Sequence, residues 1–268
     1  MATKRAVKTV KKTPAKKAAK KATSKNPFAP AQRRKPLHGT DDHVHLLKKG
    51  FICDTEQKAF TQPKGKGTIK IVVDAEGGFV RLWAKNSTLN WRFRETSMDY
   101  FDDPTAAKKE IRNLIKEMLA QWGTASPVKF KEDNTNWDFE IVMRQNDSCM
   151  DGGCVLASAF FPDPGQHRLY LYPFLFEQTR HDQIETMAHE FGHIFGLRHY
   201  FALLEETDSP AEIFGRHNKF TIMNYNELSQ LTKRDRSDLS KLYQLTWSGQ
   251  LTSIKGKTIK LVKPFHTI

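Results

Sequence analysis

His189-Glu190-Phe191-Gly192-His193-Ile194-Phe195-Gly196-Leu197-Arg198-His199 is the stretch on which the reading of this chain turns. Two histidines four residues apart on a helix stand about one turn from each other on one face, so their ring nitrogens can reach a single metal ion. Gly196 can take a positive φ, stop the helix and turn the chain back, which lets His199 add a third nitrogen. Three neutral imidazoles leave a fourth position on a tetrahedral zinc open to water, the pattern of a reactive site rather than a closed structural one. Glu190, beside the first ligand, is placed to take a proton from that water instead of binding the metal, as a general base does. Ile184, Met187, Ala188, Phe191 and Ile194 supply the apolar face that seats the same helix on a core.

Working outward, Phe79 to Arg94 alternates apolar and polar residues as strands with one buried face do. Asp103-Pro104 opens a helix whose apolar positions, Ala107, Ile111, Leu114, Ile115, Met118 and Leu119, recur at helical spacing until Gly123. Strand-like pieces follow at Val128–Phe130, Phe139–Met143, Val155–Phe160 and Arg168–Tyr172. The histidine helix spans about Asp182 to Phe195 and a last helix about Thr232 to Leu245. This order predicts a mixed α/β (α+β) domain whose second helix lies behind a sheet.

The eleven-residue motif resembles that of the metzincin clan of zinc endopeptidases, which also carry a methionine-containing turn beneath the metal; Thr221-Ile222-Met223-Asn224-Tyr225 matches that turn. From Phe79 to Leu245 the text is most similar to matrixins: RLWAKNSTLNWRF resembles their first strand, DGGCVLASAFFPDPG their edge strand and following loop, and LSQLTKRDRSDLSKLY the helix closing their C-terminal part. The resemblance implies a zincin-like protease domain with a twisted mixed sheet, an active-site helix and a smaller irregular C-terminal subdomain. It implies His189, His193 and His199 as ligands of one catalytic Zn2+, Glu190 as general base, Met223 as a packing support, and protein or peptide substrates lying extended along the edge strand Val155–Phe160. Tyr225 resembles the astacin and serralysin tyrosine that hydrogen-bonds the developing oxyanion; an ordinary hydroxyl in the pocket wall is the other reading. Ser158 stands where matrixins carry a histidine for a second zinc, so one metal is expected, and no motif for calcium is present. Tyr200 matches none of the common residues after the third histidine.

The 268 residues carry 43 Lys and Arg against 30 Asp and Glu, an excess of +13. Residues 1–35 hold 13 of those bases and no acid, leaving a neutral body behind a cationic tail. That tail, rich in Lys, Ala and Thr, cannot bury enough surface to offset its ordering entropy and is expected to be disordered. Such charge suits nucleic acid or an anionic surface reached through residues 4–35, or else a solubilising leader or packaging tag. The expected organisation is tail and linker start over 1–35, linker and short lead-in over 36–78, and the protease domain with a short extension over 79–268. No apolar run approaches membrane-span length and lysines interrupt every candidate signal region, so synthesis in the cytoplasm, with any export by a signal-independent route, and a monomeric state are expected. The rival to a peptidase is a nucleic-acid-associated protein whose protease domain serves DNA-bound proteins or is inactive.

For Cys53 a free buried thiol is expected rather than a latch on the metal, because no PRCGxPD precedes the domain. Cys149 and Cys154 enclose Met-Asp-Gly-Gly; free thiols are expected there, with a short disulfide loop as the alternative. His38, Asp41, Asp42, His43 and His45 read as a solvated loop, and His167 and His217 as surface or packing histidines.

Overall fold

A computed structural model describes residues 26–33, 45–48, 50–53, 71–74, 78–150, 153–199, 211–214, 222–223, 230–254 and 256–268. Along the chain run β1 (His45–Lys48), β2 (Gly50–Cys53), β3 (Ile71–Asp74), β4 (Phe79–Trp83), β5 (Thr88–Phe93), α1 (Glu95–Met98) and α2 (Pro104–Trp122). Then come β6 (Lys129–Glu132), β7 (Phe139–Met143), β8 (Ser148–Met150), β9 (Gly153–Ser158), β10 (His167–Leu171), α3 (Arg180–Ile194), β11 (Ala211–Phe214), α4 (Lys233–Trp247), β12 (Ser253–Ile254) and β13 (Lys257–Val262). The expected mixed α/β domain is present; α2, α3 and α4 fall within a few residues of the predicted spans, and the short α1 was not expected.

Local chemistry sets the helix ends. Asp103 accepts a hydrogen bond from the Ala106 N–H at 2.8 Å with Pro104 in the first turn, and α2 stops at Gly123, whose φ is 55°. Thr179 caps α3 by accepting from the Asp182 N–H at 3.2 Å. The apolar stripe of α2, Ala107, Ile111, Leu114, Ile115, Met118 and Trp122, is buried and packs against α3, where Trp122 Nε1–H donates to the Ala188 carbonyl at 3.2 Å.

The main sheet has the order β1-β2-β9-β10-β7-β5-β6, with β8 paired to β9. Strands β6, β5, β7 and β10 run parallel, joined by crossovers, and β9 is antiparallel to β10. Phe139, Ile141 and Met143 of β7 and Leu169 and Leu171 of β10 belong to one core with Phe191, Ile194 and Phe195 at the end of α3. Burial of that shared apolar layer fixes the histidine helix on the sheet. A smaller sheet, β12-β13-β4, is built by the C-terminal extension, whose β13 runs parallel to β4.

Three expectations are corrected. Val155–Phe160 was expected at the sheet edge, but Ala157 of β9 pairs with Leu171 on one side and with Cys53 on the other, so β2 covers it. Cys149 and Cys154, expected as free thiols, form a disulfide. They are directly opposed across the antiparallel β8–β9 pair, a register that brings two Cβ atoms within bridging reach whatever the compartment. Residues 26–33, read as linker, are docked on the body. Phe28 is fully buried, stacks on Phe176 at 3.6 Å and meets Phe101 edge-on at 5.2 Å, while Arg33 bonds Glu177 at 3.2 Å and Asp147 at 3.5 Å. A single large aromatic ring among prolines and alanines carries no periodicity, which is why the stretch read as linker.

Truncating Phe28 to alanine removes a ring from a closed core and should lower unfolding free energy by on the order of 3 kcal/mol. Urea titration of the variant beside the wild type measures this; equal midpoints would mean that Phe28 is not part of the core.

Candidate metal centre

His189 and His193 leave α3 on one face, as their spacing requires, and both are buried. The helix then ends in a Schellman turn: the Leu197 N–H donates to the Gly192 carbonyl at 2.9 Å and the Gly196 N–H to the His193 carbonyl at 2.8 Å. Gly196 sits at φ 87°, and a Cβ there would stand 3.1 Å from Leu82 Cδ2 and 3.3 Å from the Arg81 carbonyl oxygen. Both the left-handed backbone and the close packing call for glycine. Beyond the turn, His199 folds back to the other two rings.

The three Nε2 atoms lie 3.0, 3.1 and 3.2 Å apart. The contact between His189 and His193 is not a hydrogen bond between the rings. The Nδ1 of His189 donates to the Ile222 carbonyl at 2.7 Å and that of His193 to the Leu197 carbonyl at 2.8 Å, because a carbonyl can only accept. With Nδ1 protonated, the Nε2 atoms of these two rings present lone pairs to the same point, where His199 Nε2 also arrives. Converging lone pairs with 0–2% exposure repel one another unless a donor or a cation lies among them, and a cation serves all three rings at once. A tetrahedral ion bonded at about 2.0–2.1 Å holds its nitrogens about 3.3–3.4 Å apart, close to the observed triangle. The residues present therefore fit zinc, and among the described residues this is the group of His, Cys, Asp or Glu side chains close enough to share an ion.

Around the ligands lie groups that the sequence did not single out. Ile222, whose carbonyl orients His189, donates its own N–H to the Asp235 carboxylate in the first turn of α4. The same carboxylate accepts from the Thr232 N–H and hydroxyl, both at 2.7 Å, in a reciprocal capping box. Burial pushes Asp235 up to about 6, against those hydrogen bonds, which favour the anion. The T-x-x-D spacing at the head of a predicted helix was the available signal. Met223 supports the centre from below: a Cβ at position 192 would come 2.6 Å from its Sδ, so the glycine inside the motif makes room for the methionine.

The C-terminal end of α3 is held by two buried aromatic residues. Trp83 Nε1–H donates to the Ile194 carbonyl at 2.7 Å and the Tyr243 hydroxyl to the Phe195 carbonyl at 3.0 Å, while burial keeps Tyr243 protonated far above the ordinary phenol range. Two carbonyls that a helix end leaves without intrahelical partners are thereby satisfied at the turn that delivers His199. Phe161 stands edge-on to His193 at 5.3 Å and lies under the Arg198 guanidinium at 5.6 Å.

Of the expected site residues, His189, His193 and His199 are brought together, and Glu190 is fully buried on α3 beside the first of them. Tyr225 and Tyr200 lie outside the described residues, as do His217, His38, Asp41, Asp42 and His43. Ser158, at the place of the family's second-zinc histidine, pairs with Tyr170 in the β9–β10 ladder. His167 packs flat on Phe160 at 4.4 Å, a packing histidine as expected.

A buried three-histidine centre on a helix behind a mixed sheet, with a methionine packed against that helix, is the arrangement that the eleven-residue motif and its methionine turn led one to expect. The matrixin family pattern matches residues 82–244, and the chain belongs to that family. Human stromelysin-3 is 31% identical over 105 residues, 34% of this chain and 21% of that protein. Mouse matrix metalloproteinase-25 is 32% identical over 136 residues, 44% of this chain and 21% of that protein. The match thus spans about a fifth of the length of these curated relatives. Among solved structures, that of myroilysin aligns with a TM-score of 0.44 at 13% identity, over 64% of this chain and 98% of its own.

Because Asp235 binds its proton more tightly folded than unfolded, the stability it contributes is greatest at low pH and declines as pH rises from about 4 through about 6. Asp235→Asn keeps an acceptor for Ile222 and Thr232 without the buried charge. Between pH 4.5 and 7 the wild type should lose on the order of 1–3 kcal/mol relative to this variant. Urea unfolding of both proteins across that range decides it, and parallel stability curves would contradict it.

Proposed function

We propose that this chain is an endopeptidase that hydrolyses peptide bonds in protein substrates, with His189, His193 and His199 holding one zinc ion and Glu190 acting as general base. The observation that carries this is the convergence of three buried Nε2 atoms, two of whose rings are fixed from behind by main-chain carbonyls. Bound there, zinc supplies Lewis acidity, drawing the pKa of a water molecule toward about 7 and polarising a carbonyl.

The protein's own groups do the rest. The Ile222 and Leu197 carbonyls hold His189 and His193 in the tautomer that exposes Nε2, so no ring must turn or lose a proton before binding the ion. Glu190, adjacent to His189 and out of contact with bulk water, takes a proton from the attacking water as its oxygen bonds to the scissile carbonyl carbon. The same carboxyl returns that proton to the amide nitrogen as the C–N bond breaks, so the base is regenerated. Tyr225, two residues past Met223, donates a hydrogen bond to the oxyanion in this scheme.

Purified protein should contain one zinc per chain by elemental analysis and cleave an unfolded protein substrate such as reduced casein. Glu190→Gln should retain the metal and lose about 10²–10⁴-fold in kcat. A metal-loaded wild type that cleaves nothing, or a Glu190→Gln variant as fast as the wild type, would overturn the assignment.

The charge asymmetry supports a second role beside catalysis, attraction of a polyanion such as nucleic acid to the N-terminal tail. Arg33, counted with that tail, is engaged by Asp147 and Glu177, so twelve of the thirteen bases carry the reading, ten of them in residues 1–25. Duplex DNA should bind with strong salt dependence, and deletion of residues 1–25 should weaken binding and flatten the slope of log affinity against log salt. Equal affinity after the deletion would remove this role.

A further inference from the structure

Among the described residues the exposed large apolar side chains are Leu261, Phe265 and Ile268, and all three fall in the C-terminal extension. One such residue alone is ordinary on a protein surface, but three in a short stretch form a patch. The patch is interleaved with charge of one sign: residues 248–268 hold Lys255, Lys257, Lys260 and Lys263 and neither Asp nor Glu. Lys260 and Lys263 are exposed, Lys257 is half-buried, and among the described residues none of these three is ion-paired. Lys85 adds to them, because its neighbour Ala84 donates its N–H to the Val262 carbonyl at 2.8 Å, which sets Lys85 and Lys263 just past a bonded pair on adjacent strands. The family pattern ends at residue 244, so this surface is the chain's own addition.

The extension is fastened to the body. β13 pairs in parallel with β4 from Thr258 to Val262, and Ile254 and Pro264 are buried. His266 returns the chain to the core: its main-chain N–H donates to Asp138 Oδ1 at 2.9 Å and its Nδ1–H to Oδ2 at 2.8 Å, while the same buried carboxylate accepts from the Asn90 N–H at 2.6 Å. Phe265 opens a 3₁₀ turn in which the Ile268 N–H donates to the Phe265 carbonyl at 3.1 Å. Residues three apart eclipse in such a turn, so Phe265 and Ile268 share a side. A surface held in this way loses little conformational freedom when something covers it.

The composition selects the partner. Lysine is depleted at the dry centre of protein interfaces, whereas at a lipid headgroup layer its stem covers apolar surface and its ammonium stays wet. Nucleic acid would use the lysines and stack a base on Phe265, but Leu261 and Ile268 offer it no ring. Phospholipid uses both halves of the pattern, phosphate for the lysines and the upper acyl region for the apolar side chains. We infer that the β12–β13 extension is a docking face for an anionic lipid bilayer, with Leu261, Phe265 and Ile268 entering the interface and Lys257, Lys260 and Lys263 meeting lipid phosphates. This goes beyond the peptidase reading and does not depend on it.

Each lysine brought to such a surface strengthens binding about fivefold at physiological salt, so three of them with partial apolar insertion give reversible attachment. The full-length protein is mixed with vesicles of phosphatidylcholine alone or of phosphatidylcholine with phosphatidylglycerol, and binding is measured by co-flotation. The wild type should bind the anionic vesicles at least about tenfold more tightly than the neutral ones. Leu261→Ser/Phe265→Ser, which keeps every charge, and Lys257→Gln/Lys260→Gln/Lys263→Gln should each weaken binding to anionic vesicles by about tenfold or more. Hydrogen exchange at residues 257–268 of the wild type should slow when anionic vesicles are added. That footprint needs no variant, and it decides the matter if urea midpoints show that a variant has not folded.

Folded variants that bind as tightly as the wild type would overturn the inference and leave lipid attraction to the N-terminal tail. Equal binding to neutral and anionic vesicles, or vesicle binding with no slowing at residues 257–268, would also overturn it. Slowing there by duplex DNA and not by vesicles would overturn it in favour of a nucleic-acid surface.

Discussion

Two buried lone pairs aimed at one point, joined there by the nitrogen of a third ring, form the constraint on which the rest of this structure depends. Left alone, the arrangement is unfavourable, since imidazole nitrogens in an apolar interior need a donor or a cation. Every element around it acts to hold the rings there. The core beneath α3 sets His189 and His193, the Gly196 turn swings His199 across, and carbonyls at Leu197 and Ile222 lock two of the rings from behind. A site prepared in this way needs little reorganisation when it takes its ion.

The second shell extends further than the ligands suggest. From His189 the line runs through the Ile222 peptide to Asp235 and into the capping box of α4, so a helix more than forty residues downstream shares in orienting a ligand. A second line runs from the Gly196 turn through the Ile194 and Phe195 carbonyls to Trp83 and Tyr243. Trp83 ends β4, and β4 is flanked by the C-terminal strand β13, so the extension past the family match is part of the frame behind the centre.

Much of this was legible in advance. Helical spacing at 107, 111, 114, 115 and 118 marked α2, and the pair at 189 and 193 marked a chelating face, because both patterns depend only on 3.6 residues per turn. Gly196 was legible as a turn because few other residues adopt its φ. What could not be read was the pairing of distant segments. β9 looked like an edge strand because nothing local to it records that residues 50–53 lie alongside. Cys149 and Cys154 looked free for the same reason, since only the β8–β9 register opposes them. Phe28 sat among prolines and arginines with no repeat to reveal that its ring belongs to the core.

The amino-acid order alone marked the three candidate ligands, the helix that carries two of them, the turn that brings the third and the carboxylate beside them, because these are short-range consequences of helix geometry and of glycine's freedom at positive φ. Tertiary structure alone decided which carbonyls fix the ring tautomers, which glycine Met223 packs against, and which strand lies on the outer side of β9. Apart from the Leu197 carbonyl, four residues from His193, those are contacts between segments tens to more than a hundred residues apart, and they exist only once the shared apolar core has brought the sheet and α3 into one body.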